Sequence, residues 1–302
     1  MRIFVTGASG YIGTAVSREL HDAGHHVVGL ARSDSSADAL RDAGYDVLRG
    51  SLDALDALRK GADEADGVVN LAFNNIGLRT DFMEWARQDQ VAVEAMLDVL
   101  EGTNKPFVNT SGTLMLSMLG RTGTEDDVLD SNIPRVGTEN AVIDSAARGV
   151  RSSSIRLSPS VHGEGDLHGF VPALINIARE KGVSGYVGDG NNRWPGVHRL
   201  DAARLYRLAV ESAPAGSRLH GVGDEGVAFK HIAEAIGRQL HLPIVSVAPE
   251  DVADHFSYLA MFVGWDNPTS NQITRELLNW EPTHPGLLDD ISKGFYFDTP
   301  TP

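Results

Sequence analysis

Thr6-Gly7-Ala8-Ser9-Gly10-Tyr11-Ile12-Gly13 is the stretch of this chain whose residue types and spacing most directly imply chemistry. Three glycines stand between an apolar run and a segment that places Ala15, Val16 and Leu20 at helical spacing. Glycine admits strained dihedrals, lets a backbone approach a pyrophosphate, and lets a helix pack close to a strand, while the helix N-terminus supplies free N–H donors. The spacing Gly-x-x-Gly-x-x-Gly is one residue longer at its start than the common dinucleotide fingerprint. In NAD proteins an acidic residue ends the second strand and takes the adenosine ribose hydroxyls. Here the strand ends in Leu30-Ala31-Arg32-Ser33, so a guanidinium stands where a carboxylate is usual, which suits a 2′-phosphate. The expected cofactor is therefore NADP(H), with Arg32 and Ser33 at its adenosine end; the bland alternative is a solvated loop arginine.

Other constellations carry less. The chain has no cysteine, which excludes disulfides, thiol nucleophiles and thiolate metal sites. His25-His26 has no carboxylate at metal-ligand spacing and reads as a pair of loop histidines, so no metal site is expected. Glu125-Asp126-Asp127 reads as a solvated acidic loop or a helix start. Ser158, Ser160 and His162 lack the Gly-x-Ser-x-Gly elbow of nucleophilic hydrolases. A formal net charge of −15 opposes nucleic acid and anionic membranes, and it means that a dinucleotide must be held by backbone donors and a few well-placed arginines. Without a basic leader or a long apolar stretch, a cytoplasmic location is the expectation, with no membrane partner.

The elements that must position these residues follow from periodicity. Short β-branched runs at Ile3–Thr6, His26–Leu30, Asp46–Arg49, Gly67–Leu71, Pro106–Thr110 and Ser153–Arg156 alternate with helical patterns. That alternation predicts an α/β fold, a Rossmann-type doubly wound parallel sheet over residues 1–157. Beyond Pro159 the rhythm turns irregular, with helices expected at Val171–Lys181, Asp201–Ser212, Phe229–Leu240 and Gln272–Leu278. Residues 158–302 are read as a smaller C-terminal substrate lobe, with about 197–220 folding back onto the sheet. The longest helix, Asp81–Leu100, sets Phe82, Trp85, Val93, Met96 and Leu100 on one stripe as core, and helices of this kind can pair two chains into a homodimer.

With these residues in place, the chain resembles an extended short-chain dehydrogenase/reductase of the NAD-dependent epimerase/dehydratase kind. By that resemblance the turn residues Gly7, Ser9, Gly10, Tyr11, Ile12 and Gly13 hold the pyrophosphate, and Ser51 and Leu52 stand where the family contacts adenine, with Ser51 in place of the usual aspartate. Leu71, Ala72 and Phe73 follow Asn70 past the cofactor riboses, with Thr110 at the end of the fifth strand. Pro159, Ser160 and Val161, within Arg156 to Gly163, resemble the segment whose backbone receives the nicotinamide carboxamide. Val197-His198-Arg199-Leu200-Asp201 resembles the start of the family's late helix, and Leu277 to Pro282 its C-terminal signature.

The departure lies in the chemistry. The family carries Tyr-x-x-x-Lys on the helix after the fifth strand, and none of the six tyrosines here has lysine four residues later. Counting back from Glu139, Gly149 and Arg156 puts Ser131 at the tyrosine position and Arg135 at the lysine position. Arg135 is expected to hold the nicotinamide ribose and stabilise negative charge, but a permanently protonated group relays no proton. Strict alignment puts Gly112 at the family's serine, leaving Ser111 or Thr113 either to reach a substrate carbonyl or to cap the turn. The sequence reading is thus an NADP(H)-dependent oxidoreductase of a small carbonyl or alcohol substrate, its proton coming from water, from the substrate, or from His168, His198 or Tyr186. An NADP(H)-binding sensor without redox chemistry, and an epimerase or dehydratase with tightly held cofactor, stay open beside it.

Overall fold

A computed structural model of the chain describes residues 1–73 and 82–298. The chain opens with β1 (Arg2–Thr6), α1 (Tyr11–Asp22), β2 (His26–Ala31), α2 (Asp34–Asp42), β3 (Asp46–Arg49), α3 (Leu55–Glu64) and β4 (Gly67–Asn70). It continues through α4 (Phe82–Leu100), β5 (Pro106–Gly112), α5 (Val136–Asp144) and β6 (Arg151–Leu157). The second half holds β7 (Ser160–His162), α6 (Phe170–Lys181), β8 (Ser184–Val187), β9 (Arg193–His198), α7 (Arg199–Ser212), β10 (Ser217–Gly221) and β11 (Asp224–Ala228). It closes with α8 (Phe229–Leu240), β12 (Ile244–Val247), α9 (Val252–Phe256), α10 (Gln272–Leu278) and α11 (Leu287–Ser292).

Seven strands form one parallel sheet in the order β10-β6-β5-β4-β1-β2-β3, which makes this the α/β doubly wound fold expected from the alternation. Side chains alternate across it with period two. Ile3, Val5, Val27, Val69 and Val108 pack on one face with residues of α1, α2 and α7. Phe4, Val28, Val68 and Phe107 pack on the other with residues of α3, α4 and α5. The order of strands reverses between β1 and β4, and ligands of such sheets bind in the crevice beyond the strand C-termini at that point. α7 and β10 come from beyond residue 158, yet α7 packs along α1 and β10 extends the central sheet.

A separate core, built on α6, α8, α9 and α11, contains Trp194, Phe229, Phe256 and Leu259. Beside it run the small sheet β11-β9-β7 and the parallel pair β12-β8. On α4 the expected stripe needs one correction. Val93, Met96 and Leu100 are fully buried, but Phe82 is 43% exposed, because the first turn of the helix overhangs the core and its ring packs edge-on against Phe73 instead. Asp81, expected to begin this helix, lies outside the described residues.

Candidate functional site

The three turn glycines serve three different needs. Gly7 sits at φ +70°, and a Cβ there would lie 2.9 Å from the Ala72 nitrogen, so the turn passes flush against the chain leaving β4. A Cβ on Gly13 would lie 1.9 Å from the Gly7 carbonyl oxygen, which fixes how closely α1 packs on the turn. Gly10, the N-cap of α1, has ordinary extended dihedrals (φ −78°, ψ 174°), and only the Gly7 oxygen, at 3.3 Å, stands near its missing Cβ. Local backbone geometry therefore does not require glycine at position 10. The first-turn amides at Tyr11, Ile12 and Gly13 have no acceptor within the helix and form its positive end. Ser9 and Gly10 are exposed beside them.

A polar ladder fixes the floor of the crevice. The Thr6 hydroxyl donates to Asn70 Oδ1 (2.6 Å) and accepts from the Leu71 and Ala72 amides (3.2 and 3.1 Å). Asn70 Nδ2 in turn donates to Asn109 Oδ1 (3.0 Å), tying the ends of β1, β4 and β5 together. All three side chains are buried, so each hydrogen bond also removes a desolvation penalty. At the end of β2 Arg32 is exposed and has no hydrogen bond or ion pair among the described residues. Ser33 is the N-cap of α2, its hydroxyl accepting from the Ser36 amide. Arg49, from the end of β3, donates to the Ser33 carbonyl and to Asp34 (2.9 Å). Ser51 is half-buried and Leu52 buried next along the chain.

Around the end of β5 the structure gathers residues far apart in sequence. Arg135 Nη2 donates to the Thr110 carbonyl (2.8 Å), and its guanidinium lies 4.0 Å over the Phe73 ring. Thr110 Oγ1 donates to the Asn70 carbonyl (2.7 Å) and lies 2.7 Å from the Tyr206 hydroxyl, which arrives from α7. Burial lowers the Arg135 pKa, while the charges of Asp89, Tyr206 and Glu139 oppose that shift. Its Nε atom is buried without a hydrogen-bond partner among the described residues. Asp89, on α4, is 2% exposed. Burial pushes its carboxyl up to about 6, against the charge of Arg135 and a hydrogen bond from Thr138.

Residues 131–135, which the resemblance led us to expect on a catalytic helix, are not helical. α5 begins at Val136, after Arg135 in the left-handed region (φ 68°), and residues 131–135 form a turn ahead of it. Pro134 supplies the reason, since it lacks an N–H and disfavours helical dihedrals at Ile133. Ser131 is exposed, and its hydroxyl accepts from Asn140 (2.8 Å). Ser111 donates to Glu139, whose carboxyl, pushed up by burial, is held below its ordinary range by Arg156, Ser111 and Arg218 together. Thr113 is fully buried and donates to Asn267 Oδ1 (3.1 Å).

Pro159, Ser160 and Val161 run from β6 into β7, with Ser160 buried and the other two half-buried. The Tyr11 hydroxyl donates to the Gly163 carbonyl (3.0 Å), joining the glycine-rich turn to this segment. His162 pairs with Asp290 (2.7 Å), and the His198 ring stacks on His284, 4.7 Å between centres. Burial, with the charges of His162 and His284, lowers His198 to about 4 despite Asp290 and Asp201. His168 is exposed, and Tyr186 lies under Lys230 in the second lobe.

Two other expectations need correction. Glu125 is buried rather than solvated, because its carboxylate accepts from the Thr274 amide and hydroxyl (2.8 and 2.7 Å). His26 begins β2 rather than a loop, and each histidine of its pair has a carboxylate partner, Glu211 for His25 and Asp46 for His26. Among the described residues no cluster of three or more such groups could hold a metal, and no helix is long and apolar enough to cross a membrane.

Sequence reasoning passed over Asp89, Tyr206 and the Asn70–Asn109 pair. Asp89 carried a signal, since Ala86, Asp89, Val93, Met96 and Leu100 keep helical spacing and make it the one acid on a buried stripe. Tyr206 carried none, as its approach to Thr110 depends on α7 folding back onto the sheet.

Comparison with known proteins adds to this geometry. The model of the NAD dependent epimerase/dehydratase family matches residues 3–137. The uncharacterized protein C2A9.02 of Schizosaccharomyces pombe is 47% identical over 298 residues, covering 98% of this chain and 100% of that protein. The uncharacterized protein YLL056C of Saccharomyces cerevisiae is 45% identical over 299 residues, covering 98% and 99%. In fold the chain is similar to a dTDP-glucose 4,6-dehydratase of Bacillus anthracis solved in complex with NAD, with a TM-score of 0.74, 16% identity, and 98% and 95% of the two chains covered.

Proposed function

The chain belongs to the NAD-dependent epimerase/dehydratase family, of the extended short-chain dehydrogenase/reductase type, and on that premise we propose that it binds NADP(H) and reduces or oxidises a small carbonyl or alcohol substrate. The observation that carries the reading is Arg32, an unpaired guanidinium at the end of β2 beside a phosphate-binding turn. The residues fit the group: at Gly10, at the N-terminus of α1, only the Gly7 oxygen stands within 4 Å of the missing Cβ among the described residues, and the Arg135 Nε atom is buried beside Phe73 and Thr110 without a partner among them. When bound, the nicotinamide supplies or accepts the hydride.

In this reading the amides of Tyr11, Ile12 and Gly13 hold the pyrophosphate, and Arg32 with Ser33 takes the 2′-phosphate. Ser51 and Leu52 line the adenine side. Leu71, Ala72, Phe73 and Thr110 line the ribose side, and the backbone of Pro159 to Val161 meets the carboxamide. Arg135 fixes the nicotinamide ribose and stabilises negative charge developing on a substrate oxygen, the role of Ser111 being to orient Glu139 behind it. Tyr206 is sealed in the core with its hydroxyl on Thr110, and burial raises its pKa, so the proton on the substrate oxygen is exchanged with water. The dinucleotide is assigned to residues 1–157 with about 197–220, and the substrate to the rest of 158–302. A cytoplasmic protein pairing through the α4 face, where Phe82, Met83 and Val91 are exposed, completes the proposal.

A second reading, an NADP(H) sensor without redox chemistry, is favoured by one observation: Ser131, at the family's tyrosine position, points its hydroxyl to Asn140. Titration with both cofactors tests the common part. Arg32→Ala is expected to weaken NADPH by roughly 1.5–3 kcal/mol, the scale of a hydrogen bond to a charged group, while NADH changes little. Equal loss for both cofactors defeats the assignment. Loss of reduced-nicotinamide absorbance across a panel of aldehydes and ketones then separates enzyme from sensor.

A further inference from the structure

In a chain of net charge −15 almost every cation is already committed. Among the described residues only Arg32, Arg199 and Lys230 have neither a carboxylate nor a carbonyl partner for the cationic head. Lys230 lies over the Tyr186 ring in the second lobe (5.5 Å). The other two flank the glycine-rich turn, Arg32 at the end of β2 and Arg199 at the start of α7.

Arg199 is held in place without being neutralised. Its guanidinium carbon stands 5.0 Å from the centre of the Tyr11 ring, and Tyr11 is the first residue of α1. That ring is pinned in turn, its hydroxyl donating to the Gly163 carbonyl (3.0 Å). The Arg199 stem runs along Gly163, where an added Cβ would lie 3.3 Å from its Cγ. Its head reaches Gly165, where an added Cβ would lie 3.5 Å from Nη1. Both glycines have positive φ (138° and 86°), so the loop that makes room for the arginine is one that other residues rarely adopt. The side chain is thus braced between the phosphate-binding turn and the loop after β7, with its five donors uncommitted.

We infer that Arg199 is a second cationic contact for the dinucleotide, reaching the pyrophosphate from the N-terminus of α7 while the α1 amides hold it from the turn. The inference rests on the dinucleotide reading above. It divides the work between two arginines: Arg32 reads the 2′-phosphate that only NADP(H) carries, and Arg199 takes the diphosphate that both cofactors share. An uncommitted guanidinium suits a diphosphate through its planar fork, which lysine does not reproduce.

Four ligands separate the roles: NADPH, NADH, ADP-ribose, and adenosine 2′,5′-bisphosphate, which has the 2′-phosphate but no pyrophosphate. Arg199→Ala is expected to weaken NADPH, NADH and ADP-ribose alike by about tenfold, which corresponds to ~1.4 kcal/mol, and to leave the bisphosphate within about twofold. Arg199→Lys is expected to recover part of the loss. Arg32→Ala should give the complementary pattern, weakening NADPH and the bisphosphate and sparing NADH and ADP-ribose. An unchanged melting temperature establishes that the variants are folded, and Arg199→Gln, which keeps the length of the stem, serves if alanine is not tolerated. Unchanged affinity of a folded Arg199 variant for all four ligands overturns the inference. So does a loss confined to the KM of an anionic substrate, which would place the guanidinium on the substrate. Wild-type protein that binds none of the four overturns the dinucleotide reading itself, an outcome distinct from failure of the arginine variants alone.

Discussion

Gly10→Val separates ligand binding from folding, because the three turn glycines differ in what surrounds them. The extended dihedrals of Gly10 suit a β-branched residue, and the only atom near its missing Cβ is the Gly7 oxygen at 3.3 Å. Exchanging an N-cap glycine for an aliphatic residue costs about 1 kcal/mol, so the variant should fold. Its two methyls, however, project into the space in front of the Tyr11 and Ile12 amides, where the pyrophosphate would sit. Losing two charge-assisted hydrogen bonds at about 1.5–3 kcal/mol each predicts a loss of affinity of roughly a hundredfold or more for NADPH and NADH together. Gly13→Ala is the contrasting control. Its Cβ would stand 1.9 Å from the Gly7 carbonyl oxygen, so the backbone of α1 must shift, and a destabilisation on the order of 3 kcal/mol is expected. Calorimetric titration and thermal melting measure both quantities. A Gly10→Val protein that melts like wild type and binds both cofactors undiminished would show that the dinucleotide is not held at this turn.

Three further outcomes are expected. Arg135→Ala should abolish NADPH binding or hydride transfer; without its charge the buried Asp89 carboxyl, already raised to about 6, rises further, so the loss of stability should be greater at pH 8 than at pH 5, adding Asp89→Asn should remove that pH dependence without restoring function, and a double variant with recovered activity would refute the role given to Arg135. Tyr→Phe changes, Tyr206→Phe included, should leave activity within a few-fold, and a loss of about a hundredfold at any one tyrosine would identify a proton donor the reading lacks. Burial, opposed by amides of Gly169 and His168 and by the charges of His162 and His168, raises the Asp166 carboxyl from 3.8 to about 6. Its contribution to stability is full below about pH 4 and is lost as pH rises through 6, so Asp166→Asn should gain about 2–3 kcal/mol relative to wild type between pH 4 and pH 8; a pH-independent difference in chemical denaturation would contradict this.

The parts of the fold that local patterning dictates were legible. All six strands expected in the first half are present within two or three residues of their expected ends, and α8 and α10 have the expected bounds. A buried parallel strand such as Val68-Val69 must be apolar on both faces, and a helix such as α8 must repeat its apolar residues every three or four positions, so period alone reveals each. The glycine-rich turn was legible for a similar reason, since its demands fall on residues adjacent in sequence. What failed were side-chain surroundings that depend on where distant segments meet. Glu125 looks like one member of a solvated acidic run until α10 brings Thr274 to its carboxylate.

The same distinction governs the site. In the family's pattern the acid and the base that tunes it are four residues apart on one helix, so their absence can be read from sequence. The arrangement that stands there instead is assembled from four separate elements: the Thr110 carbonyl from β5, Arg135 from the turn before α5, Asp89 from α4, and the Tyr206 hydroxyl from α7. No spacing rule connects residues 89, 110, 135 and 206. The only local trace is a strained backbone, Arg135 at φ 68°, which a non-glycine residue keeps only when its surroundings hold it there. Those surroundings are the Phe73 ring and the Thr110 carbonyl. Replacing Arg135 by glycine removes the guanidinium as alanine does but relieves the backbone, so a glycine variant that is more stable than the alanine variant and equally cofactor-blind is the outcome that would tie the strain to function.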